Sequence, residues 1–158
     1  MKGVVKYALV ALGAFIVACF VIKPYKNTEV FVVAPTPNFS HFNTDKLLAM
    51  INDWRISQKL QPIIESQVLC DSATIRAVEV RNDWSHNGFD PKRVCREVGC
   101  ELGENLARNL GSEREVLDSW LHSPNHLEVL DYPKYQYGCI AQVDGFVALH
   151  LSDINLRY

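Results

Sequence analysis

The stretch YGCIAQVDGFVALHLS, Tyr137 to Ser152, decides the fold. Two β-rich runs, Tyr137–Val143 and Phe146–Ser152, flank Asp144-Gly145. The tightest hairpin turns need positive φ, which Asp and Gly tolerate, so Asp-Gly between two such runs marks a β-hairpin. His150 alternates with Leu149 and Leu151, which places its imidazole on a polar face or in a hydrogen bond. Upstream of the hairpin the pattern is helical. Pro124 opens a short helix to Leu130. Ser112 caps another, with Glu115 three residues on as a capping box and Val116, Leu117, Trp120 and Leu121 as its apolar face. Leu102–Leu110 reads as a further strand, and Ser85–Gly103, with Gly88, Pro91 and Gly99, as a loop. Ser66–Trp84 reads as a helix striped with Leu69, Ala73, Ile75, Ala77 and Val80. Asn43 or Thr44 caps a first helix over Asp45–Leu60, which Gln61-Pro62 ends. Helices first, then strands with helices between them, make an α+β body.

The chain has 158 residues, 48% of them apolar, and a net charge of −2. That is one domain plus a short appendage, and it is not a disordered chain. Residues 1–23 carry three Lys and no acid, so residues 24–158 hold 13 basic and 18 acidic residues and a net charge of −5. Such a body has no general attraction for nucleic acid.

Lys2 and Lys6 precede an unbroken apolar run from Tyr7 to Ile22, closed by Lys23-Pro24. A retained signal-anchor is the favoured reading, because no good small-residue cleavage site follows the run. A lipoprotein signal acylated at Cys19, in Ile16-Val17-Ala18-Cys19, and a cleaved secretory signal are the alternatives. All three place the body outside the cytoplasm, in a periplasm or at a cell surface. Residues 24–42, with Pro24, Pro35 and Pro37, read as a tether containing a short extended piece at Val30–Val33, and residues 43–158 as the domain. Four cysteines remain in the body, and an even count in an exported chain points to two disulfides with three possible pairings. Cys95 and Cys100 lie five apart in a loop, where a local bridge closes easily. That leaves Cys70 with Cys139.

Three short motifs carry candidate chemistry: Ser85-His86-Asn87-Gly88, Gly103-Glu104-Asn105-Leu106 and Ser123-Pro124-Asn125-His126. Two imidazoles and a carboxylate suit zinc with one open position, or a general acid–base set. Trp54 and Trp120 read as core, Asn105 as a backbone hydrogen-bonder, and Glu113 and Glu115 as a solvated first turn favoured by the helix dipole. No GxSxG and no HExxH occurs.

Taken together, the motifs resemble the CAP superfamily (cysteine-rich secretory, antigen 5 and pathogenesis-related proteins) in its bacterial SCP-like form, over about residues 44–152. LAMINDWR at 48–55 is similar to that family's first helix with its Asn-x-x-Arg. Leu69–Val80 is similar to its Ala-rich second helix, and Ser85-His86 to its first His motif. GENL at 103–106 is the most specific match. VLDSWLHSPNHLEVL at 116–130 resembles the bacterial Trp-x-x-Ser-Pro-x-His signature, and YGCIAQ at 137–142 its following strand. The resemblance implies an α-β-α sandwich, a small antiparallel sheet between helical layers, crossed by a cleft with two His and two Glu. His86, Glu104 and His126 match three of these four. The fourth position, three residues after the Trp, is Ser123 here, and His122 is a poor substitute because it points off the Trp120 face.

Three functions are compatible with these residues. The favoured one is a non-enzymatic binding module, expected to be monomeric, that takes a lipid, a small ligand or a protein partner; the resemblance implies such roles, usually without an agreed activity. The second is a hydrolase, peptidase-like, using zinc or the His86, Glu104 and His126 set. The third is a structural envelope protein.

Overall fold

The computed structural model describes residues 42–95 and 99–157. The expected membrane segment 1–23, with Cys19, and the tether up to His41 lie outside the described residues. Among the described residues no helix is long and apolar enough to cross a membrane.

Five helices and four strands follow one another: α1 (Thr44–Ser57), β1 (Ile64–Glu65), α2 (Gln67–Asn82), α3 (Pro91–Cys95), β2 (Leu102–Arg108), α4 (Glu113–Leu121), α5 (Pro124–Asp131), β3 (Tyr137–Val143) and β4 (Phe146–Ser152). The hairpin turn forms as read, with Asp144 at φ 50° and Gly145 at φ 82°. β4 then pairs antiparallel with β3 on one side and with β2 on the other, giving the order β1-β3-β4-β2. The sheet is mixed, not wholly antiparallel as expected. The two residues of β1 pair in parallel with Tyr137 and Gly138.

Helices cover both faces. α1 packs on β3, α4 and α5, and α5 on β2, while α2 packs on β3 and β4. The first face buries Leu47, Ile51, Val116, Leu117, Trp120 and Leu130 against Ile140, Val147, Leu149 and Leu151. The second is built of smaller residues, Ala73, Ala77 and Val80 against Leu106, Ala141 and Ala148, so α2 lies close to the sheet. The helical layers on either side of the sheet that the family resemblance implies are therefore present, and β2, β3 and β4 are buried along most of their length.

Capping sets the element ends. The Asn43 side chain accepts from the Lys46 amide at 2.9 Å, as an N-cap does. α1 stops three residues before the expected end, with Lys59 at φ 66°. Ser112 accepts from the Glu115 amide and caps α4. Glu113 is not solvated. It is buried, and accepts from the Asn43 amide at 2.8 Å and Lys46 Nζ at 3.0 Å, tying α4 to α1. Asn52 grips the Ile63 backbone at both its amide and its carbonyl (2.7 and 3.0 Å). Arg55 is fully buried and donates to the carbonyls of Gln61, Leu130 and Tyr135. The Asn-x-x-Arg pair of α1 is thus scaffold, holding the approach to β1 and the approach to β3. Two bridges complete the body, Cys70–Cys139 from α2 to β3 and Cys95–Cys100 after α3, with Cα separations of 4.8 and 5.5 Å.

Candidate functional site

Glu104 stands on β2, the edge strand, and its carboxylate is the hub of the site. Its side chain is 2% exposed. Oε2 accepts from Arg76 Nε of α2 at 2.7 Å and meets His150 Nε2 of β4, its cross-strand neighbour, at 3.3 Å. Oε1 meets His86 Nδ1 at 2.7 Å. Burial opposes ionisation of Glu104, but the hydrogen bonds and charge of His150 and Arg76 outweigh it and hold the carboxyl below the usual carboxylate range. An ionised carboxylate only accepts, so the protons in these contacts sit on His86 Nδ1 and His150 Nε2. The other nitrogen of His150, Nδ1, faces Ser72 Oγ at 3.0 Å.

Each side chain arrives for a local reason. Arg76 occupies the buried stripe of α2, at the spacing of Leu69, Ala73, Ala77 and Val80. Its other nitrogens donate to the Ser85 carbonyl and to Glu79 Oε2, so the guanidinium also anchors the segment that carries His86. Gly88 turns the chain against that guanidinium; a Cβ there would sit 2.7 Å from an Arg76 nitrogen. Gly103 lets β2 pass under Tyr135 and Val129, where a Cβ would come within 2.8 Å of each.

His126 comes from the first turn of α5. Its ring centroid lies 6.3 Å from that of His86, the planes tilted by 46°. Burial, and secondarily the neighbouring His86, depress its pKa, which keeps the ring neutral at neutral pH. Asn105 is fully buried and donates to the His126 carbonyl at 2.9 Å, holding α5 to the sheet edge, while its Oδ1 lacks a hydrogen-bond partner. The structure therefore brings His86 and Glu104 into direct contact and sets His126 opposite His86. Ser123 and His122 add no ligand. Ser123 is the N-cap residue of α5, and His122 is exposed with Nδ1 on the Asp118 carbonyl.

This arrangement does not fit a zinc centre as it stands. Both oxygens of Glu104 are engaged, one of them by a guanidinium that a cation would have to displace. Among the described residues, the one group of three candidate donors lying within 4.8 Å of one another is Glu65, Cys70 and Cys139. Its two sulfurs are a disulfide, so it is no thiolate site.

The sequence reading missed Arg76, His150 and Ser72 as parts of the site. The signal for Arg76 was present: a lone charge in the period of an apolar stripe is buried and must be paired. A pocket of about 170 Å³ opens between α2 and residues 85–95, lined in part by Val68, Ser72, Ile75, Phe89, Val94 and His150. His86, Glu104 and His126 are outside its lining, but Arg76 and His150, which bond Glu104, are in it.

Three solved structures share the fold. An extracellular protein containing an SCP domain from Bacillus anthracis has a TM-score of 0.61 at 20% identity, covering 73% of this chain and 40% of that one. A cysteine-rich secretory protein from Staphylococcus aureus has a TM-score of 0.63 at 15% identity, covering 70% and 38%. An outer surface protein from Borrelia burgdorferi has a TM-score of 0.57 at 19% identity, covering 68% and 88%. At these identities the likeness is of fold alone, and this chain spans about two fifths of the first two proteins. No curated protein sequence matches the chain. Residues 48–146 match the model of the cysteine-rich secretory protein family, CAP. With that match over well over half its length, and with the sandwich and paired cysteines described above, the chain belongs to the CAP family of cysteine-rich secretory proteins.

Proposed function

We propose that this protein is an extracytoplasmic binding module that recognises its ligand at the outer edge of β2. One observation carries the reading. Two imidazoles, His86 from the segment after α2 and His126 from α5, stand with ring centroids 6.3 Å apart, and His86 rests on a carboxylate whose oxygens are already satisfied by protein groups. A carboxylate whose oxygens are occupied in this way is not placed to take a proton from water, which leaves the two rings to meet a ligand. His86, with 58% of its side chain exposed, and the half-buried His126 leave ring atoms for a polar head group. A lipid or another small polar ligand suits this edge, and a protein partner would use the same two rings. Residues 1–23 serve as the membrane anchor, residues 24–42 as its tether, and the domain acts as a monomer. Two disulfides and relatives described as extracellular or outer surface proteins support the location.

Imidazole ¹H–¹⁵N resonances of the full chain, titrated with short-chain phosphatidylcholine or phosphatidylglycerol, test the reading. His86 and His126 are expected to shift saturably, and the His86→Ala, His126→Ala variant to lose the affinity. Saturable binding that leaves both rings unmoved would place the site elsewhere. Native mass spectrometry without chelator is expected to give the apo mass less four thiol hydrogens. A zinc mass lost in the double variant would replace this reading with metal-dependent hydrolysis.

A further inference from the structure

The chain of contacts behind Glu104 contains a second constellation that ligand recognition at the β2 edge does not use. Ser72 Oγ lies 3.0 Å from His150 Nδ1, and His150 Nε2 lies 3.3 Å from Glu104 Oε2. Ionised Glu104 holds the Nε2 proton, which leaves the Nδ1 lone pair of the neutral ring to accept from the Ser72 hydroxyl. This is the order of a nucleophile, a base and the acid that orients the base. All three groups stand on regular elements, Ser72 on the second turn of α2, His150 on β4 and Glu104 on β2. Cross-strand pairing of Glu104 with His150 fixes two of them relative to each other. Phe89 packs beside the His150 ring, with centroids 5.1 Å apart and planes tilted by 51°. Ser72 and His150 both line the pocket between α2 and residues 85–95.

We propose that Ser72 is a nucleophile activated by His150, and that this pocket accepts a short-chain acyl ester. Val68, Ile75, Phe89 and Val94 supply apolar walls for the acyl group. The volume, about 170 Å³, is close to the roughly 150 Å³ of a cavity that holds benzene, so the acyl chain is short. Arg93 also lines the pocket, its guanidinium paired with Glu79 at 3.1 Å, and negative charge developing on the carbonyl oxygen would compete with Glu79 for it. Ser72 Oγ bonds to the carbonyl carbon while its proton passes to His150 Nδ1. The carbon–oxygen bond to the alcohol then breaks, and the alcohol leaves with that proton. Water repeats the sequence: its oxygen bonds to the acyl carbon, its proton passes through His150 to the departing Ser72 oxygen, and the carboxylic acid is released. Glu104 is a positioning residue here, acting through His150.

The test uses the full chain with its disulfides intact. A fluorophosphonate probe is followed by peptide mapping, and p-nitrophenyl butyrate hydrolysis is followed in parallel. One adduct per chain on Ser72 is expected, absent from Ser72→Ala and unchanged in Ser57→Ala, which alters an exposed serine of α1. His150→Gln is expected to slow labelling at least tenfold with its near-ultraviolet circular dichroism retained. Should that buried variant not fold, the wild-type chain and Ser72→Ala decide by the site of the adduct and by the p-nitrophenyl butyrate rate, which is expected to fall at least tenfold in Ser72→Ala. No adduct on Ser72, an adduct on another serine, unchanged ester hydrolysis in Ser72→Ala, or full-rate labelling in folded His150→Gln would each overturn the proposal.

Discussion

The two faces of the sheet solve opposite problems with the same strands. Toward α1, α4 and α5 the strands turn Ala107, Ile140, Val147, Leu149 and Leu151. That face carries its stability in buried apolar area. Its one buried cation, Arg55, is satisfied by backbone carbonyls. Toward α2 the same strands turn Leu106, Ala141 and Ala148, and beside these small residues Glu104 and His150 meet Arg76. Burying a carboxylate and a guanidinium costs desolvation that pairing alone does not always return. Every group of the network is accordingly bonded several times. The difference shows how one small sheet provides both: one face stabilises the domain, and the other holds ionisable groups in fixed positions where helix and edge strand meet.

The comparison can be broken by weighing the faces against each other. Glu104→Ala strands the Arg76 charge in the interior and is expected to cost about 4 kcal/mol in urea unfolding. Leu149→Ala, which opens a cavity on the apolar face, is expected to cost about 3 kcal/mol. A Glu104 variant clearly less damaging than the Leu149 variant would show that the polar face is not locked as described. Acid acts on the same face. The folded-state pKa of Glu104 is depressed, so its contribution is complete above the unfolded carboxylate value of about 4 and is lost as pH falls through the lower folded value. The depressed pKa of His126 acts in the same direction at higher pH, because protonation below about 6.5 favours the unfolded chain. Stability is therefore expected to decline in two stages on acidification, with the second stage reduced in Glu104→Gln and the remainder owed to carboxylates such as Glu113, whose pKa is depressed as well. The smallest effect belongs to the Cys95–Cys100 bridge. It closes a short loop, so Cys95→Ala, Cys100→Ala is expected to cost about 2 kcal/mol. Because residues 88–94 wall the pocket, the same variant is expected to weaken probe labelling at Ser72. Unchanged labelling would show that the wall holds without the bridge.

Legibility in the sequence followed the range of the forces. The Asp144-Gly145 hairpin, the caps of α1 and α4 and the Pro124 start of α5 were readable because each depends on neighbours a few residues away. The α2 stripe was read with Ile75 in it, but Ile75 is half exposed and lines the pocket, and Arg76 takes the buried position. Helical period places Arg76 there; reading the stripe by hydrophobicity alone hid it. α3 fell inside the expected loop, although Asp90 before Pro91, with its side chain on the Lys92 amide, is a helix start. β1 had no local signal. Two residues become a strand only because the start of β3 lies alongside them.

The sequence by itself determined the helix-and-hairpin order and the three motifs that supply His86, Glu104 and His126, and through the resemblance of those motifs it pointed to the family. The elements depend on periodicity, turn chemistry and residue type, which act locally. The tertiary structure decided what Glu104 does. Its partners come from positions 18, 28 and 46 residues away in the chain. Only the crossing of α2 over the β2–β4 pair brings Arg76 and His150 to one oxygen and His86 to the other, because hydrogen bonds form between atoms that meet in space.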